Sequence, residues 1–161
     1  MGHCDIEWIS ENRVKLSGVI DEHANFDDMV KKFPNEVWLD FKDLSRINSC
    51  GVREWIKALM GCTSKIHYVN CPSVIVDQFS MIPEFLGENA VVESFEAFYI
   101  CDECSSEQQK ILEVGKDIKM SSVGTPEGPE VICSNCGEIM DLDHDPMAYF
   151  SFLMNNDDES A

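Results

Sequence analysis

Apolar and polar positions in the first part of the chain alternate between the periods of strands and of helices. Every second side chain is apolar in residues 6–8 and 14–16, on either side of Glu11 and Asn12. Because successive side chains of a strand point to opposite faces, this period predicts a β-hairpin. The compact apolar run at residues 37–41 is typical of a strand that is covered on both faces.

Three segments carry apolar side chains three and four positions apart, the spacing that forms one face of a helix. The first segment ends at Pro34, the second ends at Gly61, and the third ends or kinks at Pro83. Further strands are predicted at residues 65–70 and 91–95. The resulting order, β-β-α-β-α-β-α-β, predicts an α/β fold in which a mixed sheet is flanked by helices.

The last third of the chain contains two CxxC pairs. Two thiolates that are two residues apart can reach one ion from a tight turn, and a second such turn completes a tetrahedron around Zn²⁺. The 28 residues between the pairs suit a zinc ribbon with strands near 109–114 and 130–132 and a Gly- and Pro-rich loop outside. Four thiolates close the coordination sphere, so the predicted zinc is structural. The predicted ligands are Cys101, Cys104, Cys133 and Cys136.

Other uses of these cysteines stay open at this point. An iron–sulfur cluster would accept the same four ligands, and the pairs could instead serve thiol redox chemistry. His144 is a conceivable substitute metal ligand, but a solvated loop residue is the better interpretation, and His67 is interpreted as a structural residue in a strand. The other four cysteines are scattered singly, which indicates reduced thiols rather than a disulfide framework. They are Cys4, Cys50, Cys62 and Cys71.

A domain boundary is predicted near Phe98 to Ile100. Up to residue 100 the chain carries 16 acidic and 9 basic side chains, whereas the remainder carries 14 and 3. The second part is therefore smaller and more acidic, and it contains both CxxC pairs. We expect a first domain at residues 1–98, a zinc-ribbon domain at 99–154 and a disordered tail at 155–161.

The segment VWLDFKDLSRINSCGVREWIKAL, residues 37–59, resembles the signature of STAS domains, the sulfate-transporter and anti-sigma-factor-antagonist family. The resemblance extends over roughly residues 5–96. It implies a STAS-like mixed sheet flanked by helices, with the cysteine-rich segment in place of the family's usual final helix. It also implies that Ser49, just before the helix, is phosphorylated by a partner kinase, which switches binding off. This chain has Asn48 and Cys50 where many members have Asp and Ser.

The position of Ser49 also has a meaning that does not depend on the family. It lies where a predicted strand leads into a helix, and free N–H groups with the positive end of the helix dipole favour an anion there. A phosphoryl group would add nearly two negative charges at this point. The alternative is that Ser49 only caps the helix. The predicted phosphorylation or partner-binding residues are Asn48, Ser49, Cys50 and Gly51.

The overall charge limits the classes of partner. Among 161 residues there are 30 acidic and 12 basic side chains, which give a formal net charge of -18. Nucleic acid and anionic membranes would repel such a chain, so a protein partner is the better prediction. The sequence lacks an apolar run of about 18 residues and a secretory-signal pattern, so we expect a cytoplasmic protein without membrane contact.

Together with these observations, the resemblance to STAS domains implies a non-enzymatic regulatory protein of bacterial signalling that binds a kinase-like or other signalling protein around Ser49. No HExxH, P-loop or GxSxG motif occurs. Two other functions stay open, a nucleic-acid-binding zinc ribbon and a thiol-based redox enzyme. A homodimer is a further prediction, with Tyr149, Phe150 and Phe152 as the candidate contact.

Overall fold

The first part of the chain forms a five-stranded mixed sheet in the computed structural model, which describes residues 3–153. The first two strands form the expected antiparallel hairpin, and each following pair of neighbours is parallel. Parallel neighbours require crossover connections, which the helices supply. In spatial order the strands are β1 (Cys4–Ser10), β2 (Arg13–Ile20), β3 (Glu36–Ile47), β4 (Lys65–Val69) and β5 (Ala90–Val92).

Helices pack on one face of this sheet, which confirms the predicted α/β architecture. The indole of Trp55 lies at the centre of the core, 4.9 Å from the ring of Phe26 and 5.6 Å from that of Phe41. None of the helices within residues 3–153 has the length and hydrophobicity that crossing a bilayer requires. The helices here are α1 (Asp27–Lys31), α2 (Ser49–Leu59) and α3 (Ser73–Met81), followed by a 3₁₀ turn (Pro83–Phe85).

A second, antiparallel sheet follows and holds both CxxC pairs at its end. The elements of this part are β6 (Ser94–Ile100), β7 (Glu107–Glu113), α4 (Val114–Asp117), β8 (Lys119–Met120), β9 (Pro126–Glu127), β10 (Val131–Ile132), β11 (Ile139–Leu142) and α5 (Pro146–Tyr149). The strands of the second sheet lie in the order β10-β11-β6-β7, and β8 and β9 form a separate two-stranded ribbon. The predicted strands near 109–114 and 130–132 are present as β7 and β10.

Residues 91–95 do not form the single strand that the apolar run predicts. The chain leaves the first sheet at Glu93, whose N–H still donates to the carbonyl of Tyr68 at 2.8 Å. The carbonyl of Glu93 accepts from the N–H of Val114 at 2.9 Å, and Val114 directly follows β7 of the second sheet. One residue therefore divides the run between two sheets, and hydrophobic periodicity has no signal for such a change of partner.

The Gly- and Pro-rich loop packs against the second sheet instead of lying outside. Pro126 is buried, and the hydroxyl of Tyr99 donates to the carbonyl of Pro129 at 3.3 Å. A Cβ on Gly128 would lie 3.0 Å from the hydroxyl oxygen of Tyr99. The small residues of this loop therefore allow close packing, so the prediction that the loop lies outside is wrong.

The aromatic residues near the end of the described chain are part of its own core. Phe152 lies 5.9 Å from Phe79 of α3 and 5.3 Å from Phe95 of β6, measured between ring centroids. Tyr149, Phe150 and Phe152 are all buried, and they pack the end of the described chain against α3 and β6. The same burial removes them as an exposed contact for the predicted homodimer.

The predicted domain boundary falls inside a strand. Residues 98–100 belong to β6, which begins in the core of the first sheet and ends at the first CxxC pair. The division at residue 98 stays a prediction, as does independent folding of either part. The predicted tail at 155–161 lies outside the described residues.

His67 is buried in β4 and connects neighbouring strands through its side chain. Its Nδ1 lies 2.6 Å from a carboxylate oxygen of Glu93, and its Nε2 lies 2.7 Å from one of Glu36. The imidazole also stacks on the indole of Trp38 at 4.3 Å. These contacts agree with the structural role expected for this histidine.

His144 is not the solvated loop residue that the sequence favoured. Its Nε2 accepts a hydrogen bond from the backbone N–H of Phe98 at 3.0 Å, and its ring stacks on that of Tyr149 at 3.7 Å. Burial lowers the pKa of His144, although the carboxylates of Asp143 and Asp77 oppose this effect. The imidazole must be neutral to accept the hydrogen bond from the N–H of Phe98. Burial also favours the neutral form, so the two effects agree.

The free energy of unfolding should decrease as the pH is lowered below about 6.5, because His144 must then take up a proton. Since its folded pKa is below the unfolded value of about 6.5, the unfolded chain binds more protons in that range. The contribution of neutral His144 to the free energy of unfolding is complete above about pH 6.5, and it is lost as the pH falls through the pKa of His144 in the folded chain. We expect urea unfolding between pH 5.5 and 7.5 to show a steeper loss in the wild type than in His144→Gln. The same change at the exposed His23 should leave the slope unaltered, and equal slopes for wild type and His144→Gln would contradict the assignment.

Candidate metal centre and the start of helix α2

Each CxxC pair forms a tight turn that is closed by two backbone hydrogen bonds. In the first turn the N–H of Cys101 donates to the carbonyl of Ser106 at 2.8 Å, and the N–H of Ser105 donates back to the carbonyl of Cys101 at 2.8 Å. The second turn repeats this pattern around Cys133, with Gly137 in the place of Ser105. Both residues have a left-handed backbone, with φ of 63° at Ser105 and 83° at Gly137. Gly137 is expected in that conformation, whereas serine rarely adopts it and gives no signal in the sequence.

The two turns bring all four predicted sulfur ligands together. All four Sγ atoms lie within 4.8 Å of one another. The Sγ of Cys101 lies 3.4 Å from that of Cys136, and the Sγ of Cys104 lies 3.6 Å from that of Cys133. A tetrahedral site with metal–sulfur bonds of about 2.3 Å has sulfurs roughly 3.8 Å apart. The cluster is thus close to the size that one metal ion requires, and these four cysteines could hold one.

The four thiols of the cluster can all lose their protons only if a cation compensates the negative charge of the thiolates. The hydroxyl of Ser106 lies 3.1 Å from the Sγ of Cys104, and hydrogen bonds to the thiolate from Ser106 and Asn135 lower the pKa of Cys104 to about 5. At Cys136 the N–H of Glu138 favours the thiolate, but the neighbouring sulfur of Cys101 raises the pKa to about 12. The hydrogen bonds around the cluster therefore favour the thiolate at some positions, but four thiolates at this distance need a compensating positive charge.

The arrangement determines what a bound metal would do. Cys101 and Cys133 are buried, Cys104 is half-buried and Cys136 is exposed, so the ion would lie near the surface at the end of the second sheet. Four sulfur ligands fill a tetrahedral coordination sphere and leave no position for water or substrate. A metal bound by all four would stabilise the two turns and would perform no chemistry.

The predicted partner-binding residues lie together at the start of α2. Asn48 is the N-cap, and its Oδ1 accepts from the N–H of Gly51 at 2.7 Å. Its Nδ2 donates to a carboxylate oxygen of Glu22 at 3.1 Å. Ser49 is the first helical residue and is exposed, and Cys50 is half-buried. The alternative in which Ser49 caps the helix is therefore wrong, since the amide of Asn48 has that role.

Gly51 is buried against the end of β2. A Cβ at this position would lie 2.2 Å from the carbonyl oxygen of Ile20 and 2.6 Å from its carbonyl carbon. The same carbonyl oxygen accepts from the N–H of Asn48 at 3.1 Å. The absence of a side chain at Gly51 lets the first turn of α2 lie directly on the sheet. This contact holds the first turn of α2 in place, and with it the exposed Ser49.

One exposed face of α2 combines the serine with two cations. Ser49, Arg53 and Lys57 are four residues apart in turn, and all three are exposed. We call this set the α2 outer stripe. Neither Arg53 nor Lys57 forms an ion pair with a carboxylate of the described residues. The spacing by four of a serine and two cations along a predicted helix is the sequence signal for this stripe.

Comparisons with protein-family models, with curated proteins and with solved structures returned no match to this chain.

Proposed function

We propose that this chain is a non-enzymatic regulatory protein of bacterial signalling that binds a protein partner through the α2 outer stripe. The observation that carries the proposal is the exposed hydroxyl of Ser49 at the first turn of α2, followed by Arg53 and Lys57 on the same face. The resemblance of residues 37–59 to STAS domains supports the same placement. The four-cysteine centre has a structural role in this proposal, with Zn²⁺ as its metal.

The charge of the stripe defines the kind of partner. Arg53 and Lys57 are exposed cations on a chain with a formal net charge of -18. A partner that presents carboxylates to these two side chains would gain attraction at this face, while the rest of the acidic surface would oppose other orientations. The partner is therefore a protein with an acidic contact surface.

Phosphorylation of Ser49 would change this surface directly. A phosphoryl group brings nearly two negative charges and lies one helical turn from Arg53, within reach of an ion pair. The group would also meet the N–H groups of the first turn, which favour an anion. Arg53 would then pair within the chain and an acidic partner would be repelled, so phosphorylation releases the partner.

Replacing Ser49 by Asp should weaken partner binding at least tenfold, which corresponds to about 1.4 kcal/mol. Asp carries part of the charge of a phosphoryl group at the same place, whereas Ser49→Ala should bind like the wild type. A partner captured by the immobilised chain and then purified would be titrated against all three forms. Incubation with bacterial serine kinases should phosphorylate the wild type and leave Ser49→Ala unmodified.

Ser122→Asp provides the matched control, because Ser122 is exposed on the loop between β8 and β9 and the change adds the same charge. This variant should bind within twofold of the wild type. Equal affinities for the wild type and Ser49→Asp, or equal losses for Ser49→Asp and Ser122→Asp, would remove the α2 outer stripe as the binding surface.

A further inference from the structure

A groove with a volume of about 520 Å³ lies where α2 ends, far along the helix from Ser49. One wall is the last turn of α2, with Ile56, Leu59 and Met60, and the other is the segment 83–88 that follows α3. Met60 is 76% exposed although it neighbours the buried Leu59. Methionine adapts its shape to different apolar partners, so Met60 is suited to contact a bound side chain.

The second wall is held in place by side chains of the core. The indole N–H of Trp55 donates to the carbonyl of Phe85 at 3.1 Å, and the hydroxyl of Tyr68 donates to the carbonyl of Leu86 at 2.7 Å. Gly87 has a φ of 98°, and a Cβ there would lie 3.3 Å from Cδ1 of Leu59. Because both walls are fixed before any ligand arrives, binding would require little ordering of the groove.

Charge at the rim selects what can enter. Glu84 and Glu88 are exposed at the edge of the groove, and the negative end of the α2 dipole points in the same direction. An adjoining cavity of about 440 Å³ shares Met60, Gly61 and Cys62 with the groove, and its charged lining residues are Lys31, Lys57 and Asp27. We call the two adjoining cavities the cleft: two carboxylates lie at the rim of one end, and two cations with one carboxylate line the other.

We propose that this cleft docks an amphipathic helical segment of a protein partner. Apolar side chains of that segment fill the groove beside Met60, Lys or Arg side chains face Glu84 and Glu88, and carboxylates face Lys31 and Lys57. The last residues of this chain, NNDDESA, contain carboxylates but no cation, so they lack the charge that Glu84 and Glu88 require. The proposal does not rest on Ser49 or Arg53; it shares only Lys57 with the α2 outer stripe, and its test through Glu84 and Glu88 does not involve that stripe.

The test uses a synthetic 16-residue amphipathic helix with a Leu and Met face, Lys beside that face at one end and Glu at the other. Calorimetric titration of the full chain with this peptide should show saturable binding, from which a dissociation constant is obtained. Amide shifts in ¹H–¹⁵N spectra should concentrate on Met60, Gly61, Cys62 and Gly87. A scrambled peptide of the same composition and a version with every Lys changed to Glu should each bind at least tenfold more weakly.

Charge reversal at the rim distinguishes this cleft from general attraction to an acidic protein. The double variant Glu84→Lys with Glu88→Lys should bind the peptide at least tenfold more weakly. Glu7→Lys with Glu11→Lys changes the net charge equally at two exposed residues of the β1–β2 hairpin and should bind within twofold of the wild type. Equal losses in both double variants, equal binding of the scramble, or no saturation at millimolar peptide would overturn the proposal. Self-association of the chain that the Glu84 and Glu88 changes abolish would also overturn it, since the occupant would then be a second copy.

Discussion

Replacing Cys133 by Ser should abolish tight metal binding and unfold the four-cysteine end of the chain. Cys133 is 2% exposed and supplies one of four sulfurs within 4.8 Å of one another. Structural zinc sites contribute roughly 10–16 kcal/mol in small zinc-binding peptides, so losing one of four ligands should remove several kcal/mol. Metal content per chain and thermal unfolding would be measured on the purified full-length protein. Chelation of the wild type should produce the same loss of structure.

Cys62→Ser is the matched control for this variant. Cys62 is half-buried in the first part of the chain and does not belong to the sulfur cluster. It should keep the metal content of the wild type and shift the unfolding midpoint only slightly. A Cys133→Ser protein with unchanged metal content and unchanged unfolding would exclude a structural role for the cluster.

Replacing Gly51 by Ala should destabilise the fold by about 3 kcal/mol, the upper end of the usual cost of overpacking. The new Cβ would lie 2.2 Å from the carbonyl oxygen of Ile20, and that backbone atom cannot rotate away as a side chain could. The first turn of α2 must therefore move off the sheet. Urea unfolding followed by circular dichroism would measure the change in the free energy of unfolding.

Gly115→Ala is the control that separates this clash from a general effect of losing a glycine. Gly115 lies in the short helix α4, and a Cβ there would meet no atom within 4 Å. This variant should be as stable as the wild type or gain up to about 1 kcal/mol, because Ala restricts the unfolded chain. If both variants had the stability of the wild type, the close packing of α2 on β2 would be contradicted.

Local patterns in the sequence predicted the parts of the fold that depend on local physics. The two-residue period around Glu11 and Asn12 predicted the β1–β2 hairpin, and the apolar stripe that includes Trp55 predicted α2. The CxxC spacing predicted all four sulfurs of the cluster, because two residues between cysteines already set the geometry of the turn.

Features that depend on distant contacts were not predictable in this way. Glu93 changes sheets because it faces Tyr68 on one side and Val114 on the other. His144 is held by Phe98 and Tyr149, which are brought to it only by the folded chain. Periodicity and spacing describe neighbours along the sequence, so they carry no information about such partners.

The start of α2 shows how a local signal can be assigned to the wrong neighbour. Serine and asparagine both cap helices well, and residues 48 and 49 contain one of each. The amide of Asn48 reaches the N–H of Gly51 at 2.7 Å, which leaves the hydroxyl of Ser49 exposed. That one-residue difference is the reason why a binding role can be proposed for Ser49.

In the proposed function, four sulfur ligands fill the coordination sphere of the metal, so the metal performs no chemistry. The chain then acts by binding a partner through the α2 outer stripe. X-ray absorption at the zinc edge of the purified full-length chain tests this most directly. It should show one zinc per chain with four sulfur neighbours at about 2.3 Å and no oxygen or nitrogen ligand. A spectrum with three sulfurs and one oxygen, or with a bound water that exchanges with added anions, would contradict the account, because the metal could then perform chemistry.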